Sequence, residues 1–263
     1  MLSLPRIIMS MSTFRYFLHI AYDGSHFHGW QRQPNAATVQ QTLEDAVSMM
    51  LRSSIVLTGA GRTDTGVHAD QFFAHFDLTQ ALSEQECQKL VFRLNRFLGG
   101  EIVIIDILPV MPDAHARFSA ISRTYRYCIA RIPNPFRRAY THYLYGDINE
   151  SLMNDGARMI MGYSDFTSFS KVDTDTMTNI CRISRAGWEM EGTELVFTIS
   201  ADRFLRNMVR AIVGTLLELG VGRISLDELK MIIESKSRSK AGESVPAKGL
   251  TLYRVEYPEG VFL

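Results

Sequence analysis

Residues 54–76 have the sequence SIVLTGAGRTDTGVHADQFFAHF, and this stretch determines the fold of the first half of the chain. The runs at 55–58 and 71–76 are β-branched or aromatic and predict strands, while the glycines between them predict a tight loop. Two strands that flank such a loop are expected to pair antiparallel. Arg62 and Asp64 lie two residues apart in the loop, so extended backbone would point their side chains the same way. We expect the guanidinium to keep the carboxylate ionised and fixed in direction.

The loop also allows three other interpretations. A dinucleotide-binding turn is disfavoured, because Arg62-Thr63-Asp64 stands where a third glycine is needed and no amphipathic helix follows. The tripeptide Asp64-Thr65-Gly66 also occurs in aspartic proteases, but these need a second such tripeptide, which the chain lacks. A plain hairpin loop with a surface ion pair remains open on the local sequence alone, since Gly and Asp are common turn residues.

Apolar periodicity and capping motifs predict the other elements of the first half. They are a strand at 14–22, a helix after Thr38, a helix after Ser83 and a strand at 102–110. Together with the two strands above, the order is β-α-β-β-α-β, which is that of a ferredoxin-like unit. We therefore predict an amino-terminal extension at 1–13, a first domain at 14–112 and a second domain at 113–263.

The second half has the same mixture of elements, although its sequence shows no clear repeat of the first. Strands are predicted at 123–131, 180–189, 194–201 and 250–257, and helices at 150–161, 204–219 and 226–233. The helix at 204–219 has two apolar rows, and a third row carries Arg206 and Arg210. Arginines on a buried helix must meet water, an acid or a phosphate. We expect a partner for Arg210, and either solvent or substrate for Arg206.

Composition excludes several classes of protein. Hydrophobic residues make up 46% and charged residues 21%, which is ordinary for a globular protein, and no apolar run is long enough to cross a bilayer. Three cysteines, far apart and odd in number, argue against a disulfide framework or a zinc site and favour a reducing, cytoplasmic setting. The formal net charge is zero, which by itself argues mildly against nucleic acid.

The charge is nevertheless unevenly distributed. Between Asp113 and Asp147 there is no acidic residue, and this interval contains six arginines interleaved with aromatic residues. Such a pattern is typical of a surface that binds a phosphate backbone and stacks bases, although a solvated face with core tyrosines remains the alternative. We predict that the substrate-binding residues are Arg123, Arg126, Arg137 and Arg138 from this interval, Arg206, and the loop residues Trp30, Gln31 and Arg32. The alternative interpretation of the loop that contains Trp30 is a hydrophobic staple for the following helix.

Several short motifs occur in an order that resembles one known family, the TruA family of tRNA pseudouridine synthases. The motifs are Gly29-Trp30-Gln31-Arg32-Gln33, Gly61-Arg62-Thr63-Asp64-Thr65-Gly66-Val67-His68, His115-Ala116-Arg117-Phe118-Ser119-Ala120, Arg123-Thr124-Tyr125-Arg126-Tyr127, Asp165-Phe166-Thr167-Ser168-Phe169, Met208-Val209-Arg210 and Gly249-Leu250. They span nearly the whole chain. The segments at 95–100 and 201–204 depart from the family's pattern, so we expect local differences in loop conformation and RNA contacts there.

The resemblance implies an α+β fold of two similar ferredoxin-like or RRM-like domains, whose mainly antiparallel sheets meet around a central basic cleft. It also implies an isomerase that converts uridine to pseudouridine at positions 38 to 40 of the tRNA anticodon stem-loop. The enzyme would be a homodimer without cofactor or metal. By motif, Asp64 is the catalytic aspartate, Arg62 its neighbour, Tyr125 the active-site tyrosine, Arg210 the basic partner of the aspartate, and Leu250 a residue that packs near the base.

This chemistry accounts for the residue types. Breaking the glycosidic bond and rejoining the base through C5 needs a carboxylate, a dry pocket and a group that accepts the C5 proton. Asp64 supplies the carboxylate, but whether it attacks the base, attacks the sugar or removes a ribose proton stays open. Tyr125 would stack on the base or take the C5 proton, and a stem uridine must be flipped out. The other hypotheses are a catalytically silent tRNA-binding protein and a small-molecule N-glycosidase.

Overall fold

The computed structural model of the chain describes residues 13–171 and 178–263, and it is an α+β fold built on one sheet. Almost all of the predicted extension at 1–13 lies outside the described residues. The elements are β1 (Phe14–Tyr22), α1 (Val39–Leu51), β2 (Thr58–Gly59), β3 (His68–Leu78), α2 (Glu84–Leu98), β4 (Ile102–Pro109), β5 (Ser122–Ala130), β6 (His142–Tyr143), α3 (Glu150–Met161), β7 (Ile183–Glu191), β8 (Glu194–Ala201), α4 (Met208–Gly220), α5 (Leu226–Glu234) and β9 (Leu250–Glu256).

The two halves of the chain have the same strand order. In the first half β4, β1 and β3 are neighbours and β2 pairs with β3, and in the second half the order is β9-β5-β8-β7. Both orders are those of a ferredoxin-like β-α-β-β-α-β unit, and pairing within each half is antiparallel apart from the short β5–β6 pair. The predicted α+β fold with a mainly antiparallel sheet is therefore confirmed.

One parallel contact joins the halves into a continuous sheet. β3 pairs with β9, with His68 opposite Thr251 and Ala69 opposite Leu252. Since β3 follows directly on the Gly59–Gly66 segment, the last strand of the chain is hydrogen-bonded to the strand that leaves the aspartate-bearing loop. This junction brings residues of both halves to one place.

Reciprocal caps and two apolar clusters hold the helices against the sheet. Ser83 with Glu86 and Ser225 with Glu228 form complete capping boxes, while the Thr38 hydroxyl accepts from the Gln41 amide. Caps of this kind contribute about 1 kcal/mol each. One core cluster belongs to β1, β3, α1 and α2, and the other to β5, β8, α3 and α4. Tyr125 packs against both clusters, at the boundary between the halves.

Among the predicted elements whose bounds differ from the structure, two lie next to the candidate site. The strand expected at 55–58 pairs with β3 only at Thr58–Gly59, because side chains of α1 take the preceding amides: the Ile55 amide donates to Ser48 Oγ (2.9 Å) and the Leu57 amide to a Glu44 carboxylate oxygen (3.0 Å). The helix expected from 204 begins at Met208, because Asn207 has a left-handed backbone with φ 66°. Residues 202–207 therefore lie outside the helix and lead into it through a turn.

Two further properties of the described residues bear on function. None of their helices is long and apolar enough to cross a membrane. Nor does this part of the chain contain three or more His, Cys, Asp or Glu side chains grouped so that they could hold a metal ion.

Candidate active site

The loop at 59–66, called the aspartate loop below, is held by backbone and side-chain contacts from the first half. The Trp30 amide donates to the Thr63 carbonyl (3.2 Å), and the hydroxyls of Tyr22 and Thr63 share a hydrogen bond of 2.9 Å. The Val67 amide closes a turn on the Asp64 carbonyl (3.1 Å), and Gly66 takes a positive φ of 78° within it. Thr63 is consequently buried, whereas the Asp64 side chain keeps 27% of its surface exposed.

Two arginines of the second half face the Asp64 carboxylate. Arg210 Nη1 lies 3.4 Å from one carboxylate oxygen, and Arg206 Nε lies 3.8 Å from the other. Arg210 is also fixed from behind, because its Nε donates to the Val245 carbonyl (2.8 Å). The Arg206 side chain is 57% exposed, and its contact with Asp64 is long. Solvent therefore screens the attraction between Arg206 and Asp64 more than the attraction between Arg210 and Asp64. The arginines come from α4 and the turn before it, so the predicted pairing of Asp64 with Arg210 agrees with the structure.

The prediction that Arg62 forms an ion pair with Asp64 is wrong. Arg62 is exposed, and no ion pair joins it to Asp64 or to another acid of residues 13–171 and 178–263. The backbone bends at the turn after Asp64, and the carboxylate faces Arg206 and Arg210 across the junction. Residues 62–64 belong to no strand, so the alternation of an extended strand does not determine the direction of these two side chains.

Tyr125 lies at the same junction, on β5. Its ring meets Phe204 edge to face, with the centroids 5.2 Å apart at 90°. Burial, and to a smaller degree the Asp64 charge, raises the pKa of Tyr125 to about 12, against an opposing effect of Arg123. The phenol is therefore neutral near pH 7. Its hydroxyl has no hydrogen-bond partner in the described part of the chain, which leaves it available to a substrate.

Leu250 is buried at the start of β9. It lies opposite Tyr127 in the β5–β9 ladder and shares a core cluster with Val67, three residues after Asp64. The Tyr127 hydroxyl donates to the Pro246 carbonyl (2.9 Å), which fixes the chain just before Leu250. Leu250 thus contributes an apolar surface beside the aspartate loop.

Two arginines of the acid-free interval have acidic partners that the linear sequence conceals. Arg126 forms an ion pair with Glu191, and Arg137 makes a two-pronged contact with Glu194 at 2.8 and 3.0 Å. β5 pairs with β8 so that Ala130 lies opposite Glu194, and the β7–β8 hairpin therefore supplies the counter-charges. These two side chains are therefore paired with acids of the same chain, and their contact with substrate stays a prediction.

Arg123, which is also predicted to contact substrate, is engaged by the protein itself. Its guanidinium donates to backbone carbonyls at Ala120 (2.9 Å), Asp202 (2.8 Å), Ala60 (3.2 Å) and Arg117. These carbonyls occupy its donors inside the protein. Arg138, in contrast, is exposed, and only its carbonyl is engaged among the described residues, by Lys248 Nζ at 3.0 Å.

The loop at 30–32 supports α1, as the staple interpretation allows. Trp30 is 2% exposed and stacks on Phe72 with a centroid distance of 4.2 Å. Gln31 donates to Gln40 Oε1 (2.9 Å), and Arg32 pairs with Glu44 (3.2 Å). Gln31 and Arg32 are nevertheless exposed, so their contact with substrate stays a prediction.

The sequence agrees with one family over most of its length. The profile of a family described as tRNA pseudouridine synthase matches residues 19–98 and 157–258. The chain belongs to the tRNA pseudouridine synthase family. Its relatives include proteins named tRNA pseudouridine synthase A from Parabacteroides distasonis, with 49% identity over 94% of this chain and 98% of the relative. The relative from Bacteroides thetaiotaomicron is 50% identical over 94% of this chain and 92% of the relative. The relative from Bacteroides fragilis is 49% identical over 96% of this chain and 100% of the relative.

Members of the tRNA pseudouridine synthase family are isomerases that convert uridine to pseudouridine in tRNA. At the junction of the halves, the partly exposed Asp64 carboxylate lies beside the guanidinium groups of Arg206 and Arg210. The apolar surface formed by Leu250 lies near the same loop. The resemblance identified by motif order is thereby confirmed at the level of the family.

Sequence reasoning missed two residues that support this site. Phe204 packs on Tyr125, and His68 links the two halves, since its Nδ1 accepts from the Gly24 amide (3.1 Å) and its Nε2 donates to the Lys248 carbonyl (3.2 Å). The position of His68 within the aspartate-loop motif was a usable signal. Phe204 was assigned to a helix, so its contact with Tyr125 was not foreseen.

Proposed function

We propose that Asp64 is the catalytic group of a uridine isomerisation at positions 38 to 40 of the tRNA anticodon stem-loop. The observation that carries this proposal is the convergence on Asp64 of two guanidinium groups from the other half of the chain, at 3.4 and 3.8 Å. The two cations hold the carboxylate in one direction and leave part of it accessible. The choice of uridines rests on the motif order shared with the TruA family.

The reaction is an internal rearrangement of one nucleotide. The bond between the sugar and N1 of uracil breaks, a bond from the same sugar carbon to C5 forms, and the C5 proton is lost while N1 gains one. Atoms balance without water or a co-reactant. A stem uridine must leave the helix before Asp64 can reach it.

Tyr125 would act as a neutral phenol in this scheme. A pKa of about 12 keeps its proton on the oxygen at physiological pH, so the hydroxyl can donate to the flipped base or relay a proton. The edge-to-face contact with Phe204 limits the orientations of the ring. Arg206 and Arg210 remain with Asp64 throughout.

Exposed arginines at the rim are the candidates for phosphate contacts. Arg62, Arg117 and Arg138 are exposed, and none of them forms an ion pair with an acid in the described residues. Phe118 is 74% exposed beside the Arg117 guanidinium, which lies 5.5 Å from the ring centroid, an arrangement suited to stacking a base. Each such arginine would contribute about one released counterion to the salt dependence of binding.

We also propose the division into domains at 14–112 and 113–263, a homodimer and a cytoplasmic location. The repeated strand order supports the division. The exposed apolar side chains Ile132, Phe136, Tyr143 and Tyr145 offer a surface for a second copy, and light scattering of the purified chain tests this. The three cysteines are unpaired, in agreement with a reducing compartment.

Release of tritium from 5-tritiated uridine in unmodified tRNA tests the function. The wild type should release tritium and form pseudouridine at 38 to 40, and Asp64→Asn, which keeps the shape but not the charge, should do neither while still binding tRNA. Full activity of that variant would exclude the proposed role. Tight binding without product would indicate the silent binder, and free base from nucleosides would indicate the N-glycosidase.

A further inference from the structure

The side chain of Arg123 joins three segments that are distant in sequence. Nη1 donates to the carbonyls of Ala120 (2.9 Å) and Asp202 (2.8 Å), and Nη2 donates to those of Ala60 (3.2 Å) and Arg117. Because a single nitrogen binds both Ala60 and Arg117, their two carbonyl oxygens lie within about 6 Å of each other. One guanidinium thus determines the relative position of all three segments.

The segments held by Arg123 carry parts of the candidate active site. Ala60 lies in the aspartate loop, four residues before Asp64. Asp202 begins the turn that presents Phe204 to Tyr125 and Arg206 to Asp64. The long contact of 3.8 Å between Arg206 and Asp64 therefore spans two segments whose separation is set by the same guanidinium.

The bonding of Arg123 suits a structural clamp better than a phosphate contact. A planar guanidinium has five donors in a fixed fork, and four backbone carbonyls at different angles use that geometry. No carboxylate of the described chain forms an ion pair with Arg123, so the charge is compensated by carbonyl dipoles. Burial lowers the pKa of the guanidinium, in agreement with an interior position.

We propose that Arg123 is a positioning residue that sets the gap between the aspartate loop and the turn at 202–206, and that it does not touch tRNA. It acts on the reaction through Arg206 and Asp64. The rate measurements that test this proposal rest on the proposed function. The hydrogen-exchange measurement is independent of activity.

A matched pair of variants tests the clamp. Arg123→Met keeps an unbranched side chain that fills the position of the arginine stem, and it removes the donors. Arg131→Met is the control, because Arg131 also donates to two carbonyls, at Leu144 (2.9 Å) and Gly146, but joins no segment of the site. Arg123→Met should lower the single-turnover rate about 100-fold, as expected for a displacement of about 1 Å. The Kd for tRNA should stay within about twofold and the salt slope unchanged, whereas Arg131→Met should keep the wild-type rate.

A double-mutant cycle with Arg206→Met tests the route of the effect. If Arg123 acts through the turn, the double variant should lose no more rate than the more damaging single variant. Additive losses, or a salt slope that falls by about one in Arg123→Met, would overturn the proposal. Arg123→Lys keeps one cationic donor group and should have an intermediate rate. This variant takes the place of Arg123→Met in the test if Arg123→Met does not fold. A wild-type rate in Arg123→Lys would equally overturn it.

Hydrogen exchange separates a failed clamp from a failed function. In Arg123→Met the amides at 60–66 and 202–206 should exchange faster than in the wild type, and in Arg131→Met they should not. Unchanged exchange in both segments would refute the clamp whatever the activity. Faster exchange in a chain whose wild type forms no pseudouridine would leave the clamp standing and refute the function.

Discussion

Gly59→Ala is expected to damage the active site from inside the core. A Cβ built on Gly59 would lie 2.6 Å from Trp30 Cε2, 2.7 Å from its Nε1 and 2.8 Å from Phe72 Cζ. Carbon atoms in contact normally stay about 3.5–4.0 Å apart, so the overlap is about 1 Å. Trp30 and Phe72 are buried and stacked on each other, and neither ring can turn away. The backbone of the aspartate loop must shift instead.

The expected cost follows from this overlap. Overpacking of this kind costs about 1–3 kcal/mol in the free energy of unfolding, or about 2–4 °C in Tm for each kcal/mol in a chain of this size. A displacement of the loop by about 1 Å should lower the single-turnover rate of pseudouridine formation about 100-fold. Urea unfolding and a rapid-quench assay on unmodified tRNA measure the two effects.

A second glycine of the same loop provides the control. Gly61 has no heavy atom within 4 Å of a built Cβ and no positive φ, so Gly61→Ala should be neutral or stabilising by up to about 1 kcal/mol. Trp30→Phe introduced beside Gly59→Ala should recover part of the lost stability, because the smaller ring makes room for the methyl group. Equal damage from both glycine variants, or a harmless Gly59→Ala, would refute the packing argument.

Three other predictions concern charge and protonation. Burial above all lowers the pKa of His75 from 6.5 to about 4. As the pH falls, His75 therefore binds a proton in the unfolded chain at a higher pH than in the folded chain. About 3 kcal/mol of the free energy of unfolding should be lost as the pH falls from 6.5 to 4. Urea unfolding between pH 6.5 and 4 should show that His75→Asn loses less stability on acidification than the wild type does, and that His28→Asn loses as much as the wild type. The same dependence of stability on pH in His75→Asn and the wild type would contradict this prediction. Arg138→Ala should reduce the salt slope of tRNA binding by about one, whereas Arg137→Ala, which loses a bond to protein, should hardly change it; equal changes would count against the assignment. Tyr125→Phe should retain tRNA affinity and lose most of the turnover, and a loss in binding alone would exclude a catalytic role.

Local signals were sufficient for the type and order of most elements, and they singled out Asp64. The helices after Thr38 and Ser83 begin where their caps predicted. The β-α-β-β-α-β order led to the correct fold class, because period and capping are properties of neighbouring residues. Asp64 was recognisable from its glycine-rich motif and from the order of motifs along the chain.

What surrounds Asp64 was decided by the tertiary structure. Arg62, two residues away in sequence, lies in solvent, whereas Arg206 and Arg210 arrive from more than a hundred residues away and contact the carboxylate. The acid-free interval acquires its acids through the β5–β8 register, and Arg123 turns inward to backbone carbonyls. Side-chain partners depend on distances across the fold, and no local pattern encodes those distances. The sequence by itself therefore determined the elements and the carboxylate, and the parallel pairing of β3 with β9 decided which charges meet it.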